Sequence, residues 1–136
     1  MPSESTLGIY IHVPFCVRKC PYCDFYSVPQ TAERMEQYGT ALCRFLRQMQ
    51  TDLPVDTIYF GGGTPSLLPV SLLEEILQTI DKTVSLQQPE ITLECNPATV
   101  NRETLRQLRE IGINRLSIGV QSLSDVQLKR LGRLHD

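Results

Sequence analysis

Long apolar runs are missing from this sequence: no segment approaches the roughly 18 consecutive apolar residues that would cross a bilayer. The opening MPSESTLG is polar and holds no apolar stretch of signal-peptide length. Charge of one sign is also scarce. Thirteen Lys and Arg stand against fifteen Asp and Glu, interspersed, for a net charge of −2. That balance gives no sign of a basic nucleic-acid surface. There are no repeats, low-complexity tracts or obvious inter-domain linkers. A chain of 136 residues is one domain in length and can bury a reasonable core. Lacking an export signal, it is expected in the cytoplasm, where clustered thiols bind metal more often than they pair.

What is present is an alternation of two periods. LGIYIHVPF (7–15) reads as a strand, and ERMEQYGTALCRFLRQMQ (33–50) has helical apolar spacing at Met35, Tyr38, Leu42, Phe45, Leu46 and Met49. DTIYF (56–60) is a second strand, ended by Gly61-Gly62-Gly63, and Pro69 suits the first turn of the helix VSLLEEILQTID. EITLECNP (90–97) is a third strand. NRETLRQLREIGI holds a third helix, with Asn101 as cap and a stop near Gly112. RLSIGVQS (115–122) is a fourth strand, and Ser124 or Asp125 caps a fourth helix through LKRLG. Such alternation predicts an α/β fold with a parallel sheet and crossover helices. In parallel βα folds the chemistry gathers at the C-terminal edge of the sheet. Here that edge receives a cysteine loop, the GGGT turn, Glu94 and Gln121.

The cysteine loop, FCVRKCPYCDF (15–25), holds three of the five cysteines at C-x3-C-x2-C spacing. A disulfide takes two thiols and a structural zinc four ligands, so three fit neither. Positions i, i+4 and i+7 would share one helix face, but Pro21 opposes a helix. Three readings stand: a [4Fe–4S] cluster, zinc with an outside fourth ligand such as His12, and a packing trio. A cubane held by three thiolates keeps one iron without a protein ligand. That iron can take the amino and carboxylate groups of S-adenosylmethionine. Cys43, mid-helix, and Cys95, of opposite strand parity to Glu94, are read as buried packing.

With an aromatic, Tyr22, before the third cysteine, the loop resembles the signature of the radical S-adenosylmethionine superfamily. YIHVPFCVRKCPYCDFYS, IYFGGGTPSLL, ITLECNPATV and RLSIGVQSLSDVQLKRLGRLH narrow the resemblance to the family containing oxygen-independent coproporphyrinogen III oxidase and the HemW haem chaperones. It implies a partial TIM-type (βα) barrel, of which about four units are present. It implies Cys16, Cys20 and Cys23 as cluster ligands. Tyr10, Tyr22, Gly62, Gly63, Thr64, Glu94, Gln121 and Arg133 become contacts of S-adenosylmethionine: Tyr10 lies against it, the GGGT turn meets its amino group through carbonyl oxygens, and Glu94 accepts from both ribose hydroxyls. Gln121 contributes a donor and an acceptor, and Arg133 lies near the carboxylate.

Blander readings exist beside these. Tyr10 as a core aromatic, GGGT as a mere tight turn and Arg133 as a solvated helix-end cation need no cofactor. His12 is either a buried, hydrogen-bonded histidine or a substrate contact. GGGT lacks the third glycine of G-x-G-x-x-G and the Lys of a P-loop, so it is no nucleotide fingerprint.

Within the family the oxidase type carries a fourth cysteine two residues past the third, where this chain has Phe25. The resemblance therefore implies a haem carrier rather than an oxidase, with haem or porphyrinogen as small-molecule ligand, haem-accepting respiratory proteins as partners and a homodimer as one oligomeric option. Coproporphyrinogen oxidase is the alternative, and an inactive iron–sulfur fragment a third. Four units fall short of a barrel and leave strand four as a bare edge. Residues 1–136 are accordingly expected to be the N-terminal part of a core domain.

Overall fold

A computed structural model describes residues 5–16, 28–29 and 31–118. Four strands form one parallel sheet in sequential order: β1 (Leu7–Val13), β4 (Val55–Gly62), β5 (Leu86–Cys95) and β6 (Arg115–Ile118). A second, two-stranded parallel ladder joins β2 (Phe15–Cys16) to β3 (Val28–Pro29) and closes the base of the cysteine loop. Helices α1 (Ala32–Arg47), α2 (Val70–Thr83) and α3 (Arg102–Ile111) connect the strands.

The period-2 pattern decides which face is covered. Ile11 and Val13, Ile58 and Phe60, and Ile91, Leu93 and Cys95 point to one side and are buried. They share a core with Cys43 and Leu46 of α1, Leu73, Ile76, Leu77 and Ile80 of α2, and Leu108 of α3. Tyr10 and His12 point the other way and are exposed. One face is thus packed under helices and the other left open.

Each helix has a local reason for its limits. Thr31 Oγ1 accepts from the Arg34 amide at 3.1 Å and starts α1. Pro69 sits one residue before α2, at its N-cap, rather than inside its first turn. Asn101 Oδ1 accepts from the Thr104 amide at 2.8 Å and starts α3. At its end the Gly112 amide bonds the Arg109 carbonyl and the Ile113 amide the Leu108 carbonyl, both at 3.1 Å. Those two bonds make a Schellman motif, with buried Leu108 and Ile113 as its apolar pair. Asn101→Ala is expected to cost about 1 kcal/mol in a denaturant titration.

Strand boundaries differ from the sequence reading in three places, and the first helix, read over 33–50, ends at Arg47. The first strand stops at Val13, because Pro14 has no amide to continue the ladder, and two residues pair again after it. The second runs on through Gly61 and Gly62, which pair with His12 and Val13. The third begins earlier, at Leu86, across a register irregularity near Gln88, whose φ is +41°. Residues 119–136, including the expected end of strand four and the fourth helix, lie outside the described residues.

Candidate functional site

The open face carries a continuous row of polar side chains toward the C-terminal sheet edge. Register aligns Tyr10 with Tyr59 and His12 with Gly61 across β1 and β4, and Glu94 with Ser117 across β5 and β6. The Tyr10 and Tyr59 rings stack with centroids 5.9 Å apart and planes inclined by 19°. Tyr10 is 59% exposed, so the core-aromatic reading of it does not hold. His12 is exposed too, with Nδ1 3.3 Å from the Tyr10 hydroxyl, so it is not a buried histidine either.

Glycine is required where these rings crowd the backbone. A Cβ on Gly61 would fall 2.9 Å from atoms of both Tyr10 and Tyr59. On Gly62 it would fall 2.8 Å from the His12 ring and from the Val13 carbonyl, and φ there is +109°. The end of β4 therefore packs its backbone directly against the Tyr10, Tyr59 and His12 rings of the open face.

Its amide hydrogens are all engaged within the protein. Gly62 donates to Glu94 Oε1 at 3.1 Å, Gly63 to the Val13 carbonyl at 2.7 Å, and Thr64 to the Phe15 carbonyl at 2.6 Å. What this stretch retains for a ligand is acceptor character, which suits an ammonium group. Two of these bonds also pin the chain on either side of Pro14, just before Cys16. Tyr38 of α1 adds a third tie, its hydroxyl donating to the His12 carbonyl at 2.5 Å. Burial, and to a lesser extent Tyr10, push the Tyr38 phenol up to about 12.

Glu94 is half-buried at the end of β5. Besides the Gly62 amide, its carboxylate accepts from the Tyr59 hydroxyl at 2.6 Å on Oε2. That hydrogen bond, followed by burial, raises the Tyr59 pKa and keeps the phenol protonated as a donor. Tyr59 was not singled out in the sequence. The signal was available, because it shares strand parity with Gly61 and so with the open face. Behind Glu94, Ser66 Oγ lies 2.5 Å from Thr99 Oγ1 and accepts from the Asn96 amide at 3.3 Å. The turns following β4 and β5 are thereby clamped together.

Of the expected site residues, Tyr10, Gly62, Gly63, Thr64 and Glu94 converge on this edge, and Cys16 enters it through β2. Cys20, Cys23, Tyr22, Gln121 and Arg133 lie outside the described residues. Cys43 and Cys95 are buried on the helix side, as their positions suggested. Burial pushes the Cys95 thiol up to about 11, which keeps it protonated and a poor metal ligand. Among the described residues no group of His, Cys, Asp and Glu is arranged to hold a metal ion, and no helix is long and apolar enough to cross a membrane.

A parallel βα sheet with a three-cysteine loop after its first strand and a glycine turn after its second defines a barrel-type cofactor-binding domain. Residues 10–136 match the Radical SAM superfamily, and the chain belongs to it. Membership implies a [4Fe–4S] cluster and S-adenosylmethionine. The chain is 40% identical over 147 residues to the protein named heme chaperone HemW from Haemophilus influenzae, covering all of this chain and 38% of that protein. With HemW of Escherichia coli the identity is 41% over 136 residues, covering 95% of this chain and 35% of the relative. The chain thus spans less than two-fifths of these relatives. Among solved structures, coproporphyrinogen III oxidase (HemN) from Escherichia coli, titled a radical SAM enzyme, superposes with a TM-score of 0.86 at 27% identity over 98% of this chain and 32% of that one.

Proposed function

We propose that this chain is the cofactor-binding part of a haem chaperone, a carrier that delivers haem to haem proteins. The observation that carries the proposal is its identity of about two residues in five, over essentially its whole length, to proteins named as haem chaperones. Phe25, where the oxidase type has a fourth cysteine, points the same way.

In this reading Cys16, Cys20 and Cys23 hold the cluster as thiolates. Three features of the described residues support S-adenosylmethionine: the Gly61–Gly62 backbone lies directly against the Tyr10, Tyr59 and His12 rings, Glu94 offers a fixed carboxylate, and Tyr10 an exposed ring. Tyr22, Gln121 and Arg133 complete the contacts. When bound, the two cofactors supply one-electron chemistry, which the protein orients. Gly62, Gly63 and Thr64 place acceptors toward the ammonium, and Glu94 accepts from the ribose. Haem, its acceptor proteins, a homodimer and a cytoplasmic setting belong to the same proposal.

The structural likeness to HemN favours a second reading, coproporphyrinogen oxidase. An anaerobic assay of the complete, cluster-loaded protein separates them. Given coproporphyrinogen III, S-adenosylmethionine and a reductant, the carrier is expected to form no protoporphyrinogen but to pass bound haem to an apo-haem protein. Protoporphyrinogen production would establish the oxidase instead.

A further inference from the structure

We propose that Tyr59 is a positioning residue, whose hydroxyl acts with the Gly62 amide to fix the Glu94 carboxylate for a ribose cis-diol. The proposal rests on the reading of Glu94 as a cofactor contact. Each carboxylate oxygen has two acceptor sites. Among the described residues one donor occupies each oxygen, Gly62 N–H on Oε1 and Tyr59 O–H on Oε2. One site per oxygen is left, which matches the two adjacent hydroxyls of a ribose.

A glutamate held at one oxygen alone still turns about its terminal torsion, which is broad and poorly staggered. Held at both, its plane is set before the ligand arrives, so the ordering cost is met in folding rather than in binding. Tyr59 is itself well anchored: it stacks on Tyr10, and the absence of a side chain on Gly61 makes room for both rings. The phenol is a firm donor, since its hydrogen bond to Glu94 and its burial hold the proton on.

The test is calorimetry on the complete, cluster-loaded protein with two probes, S-adenosylmethionine and its 2′,3′-dideoxyribose analogue. Tyr59→Phe, which keeps the ring stack, is expected to weaken S-adenosylmethionine by about tenfold, the scale of one hydrogen bond. It should leave the dideoxy analogue unchanged, and in a Glu94→Gln background it should add nothing. Equal loss for both probes would mean a general structural effect and overturn the proposal, as would no loss for either. A wild-type protein that binds neither probe would overturn the cofactor reading and this proposal with it. A ligand-free readout distinguishes the two: the Tyr59 Cζ resonance in ¹³C-tyrosine-labelled protein, assigned by its disappearance in Tyr59→Phe. Its titration midpoint is expected to fall in Glu94→Gln. An unmoved midpoint would refute the phenol–carboxylate bond whatever the ligand does.

Discussion

Replacing Cys16, Cys20 or Cys23 singly with alanine is expected to abolish the cluster in anaerobically reconstituted protein. Visible absorbance and iron content should both fall to background. A cubane held by only three thiolates has no spare ligand in the protein. Neither remaining described thiol can substitute, because Cys43 and Cys95 are buried on the far side of the sheet. The far-ultraviolet circular dichroism should change little, since the described apolar core, Phe15 apart, is built from strands and helices outside the loop. An unchanged visible spectrum in any one variant would reject that cysteine as a ligand. Stoichiometric zinc in anaerobically purified wild-type protein would reject the cluster itself.

Glu94→Ala is expected to weaken S-adenosylmethionine by roughly 10- to 150-fold without loss of iron. A hydrogen bond to a charged group is worth about 1.5–3 kcal/mol, and each 1.4 kcal/mol is a factor of ten. The same substitution leaves the Tyr59 hydroxyl and the Gly62 amide without their acceptor. Glu94→Gln keeps the shape and serves as the control for that local damage. Equal affinity of wild type and Glu94→Ala, measured by calorimetry at matched iron content, would remove Glu94 from the site.

Both expectations begin from residues that sequence reasoning reached, and the reason lies in strand ends. Strand-and-helix alternation gave the parallel sheet, because each element carries its own period: Ile58 and Phe60 alternate, while Leu73, Ile76, Leu77 and Ile80 recur helically. Glu94 stood out as an acid closing an apolar strand. Asn101 and Gly112 act by local backbone chemistry, which sequence carries directly. Other features were not legible. The ladder of Phe15–Cys16 with Val28–Pro29 is two residues long, too short to have a period, and one partner is a proline. The extension of β4 through two glycines depends on pairing with β1, which no residue within the turn announces. Tyr59 is legible only through its neighbour: the parity of the first strand, carried across to β4, puts Tyr59 beside Tyr10 on the open face.

The two amide bonds from Gly63 and Thr64 to the carbonyls of Val13 and Phe15 have a mechanical consequence. They rivet the approach to Cys16 to the same turn that touches Glu94. In the proposed site, the strand leading to Cys16 and the turn beside Glu94 are therefore not separate parts brought together at loading. They share a chassis, so their spacing is set by backbone geometry, and side chains elsewhere in the pocket can change without altering the distance between them.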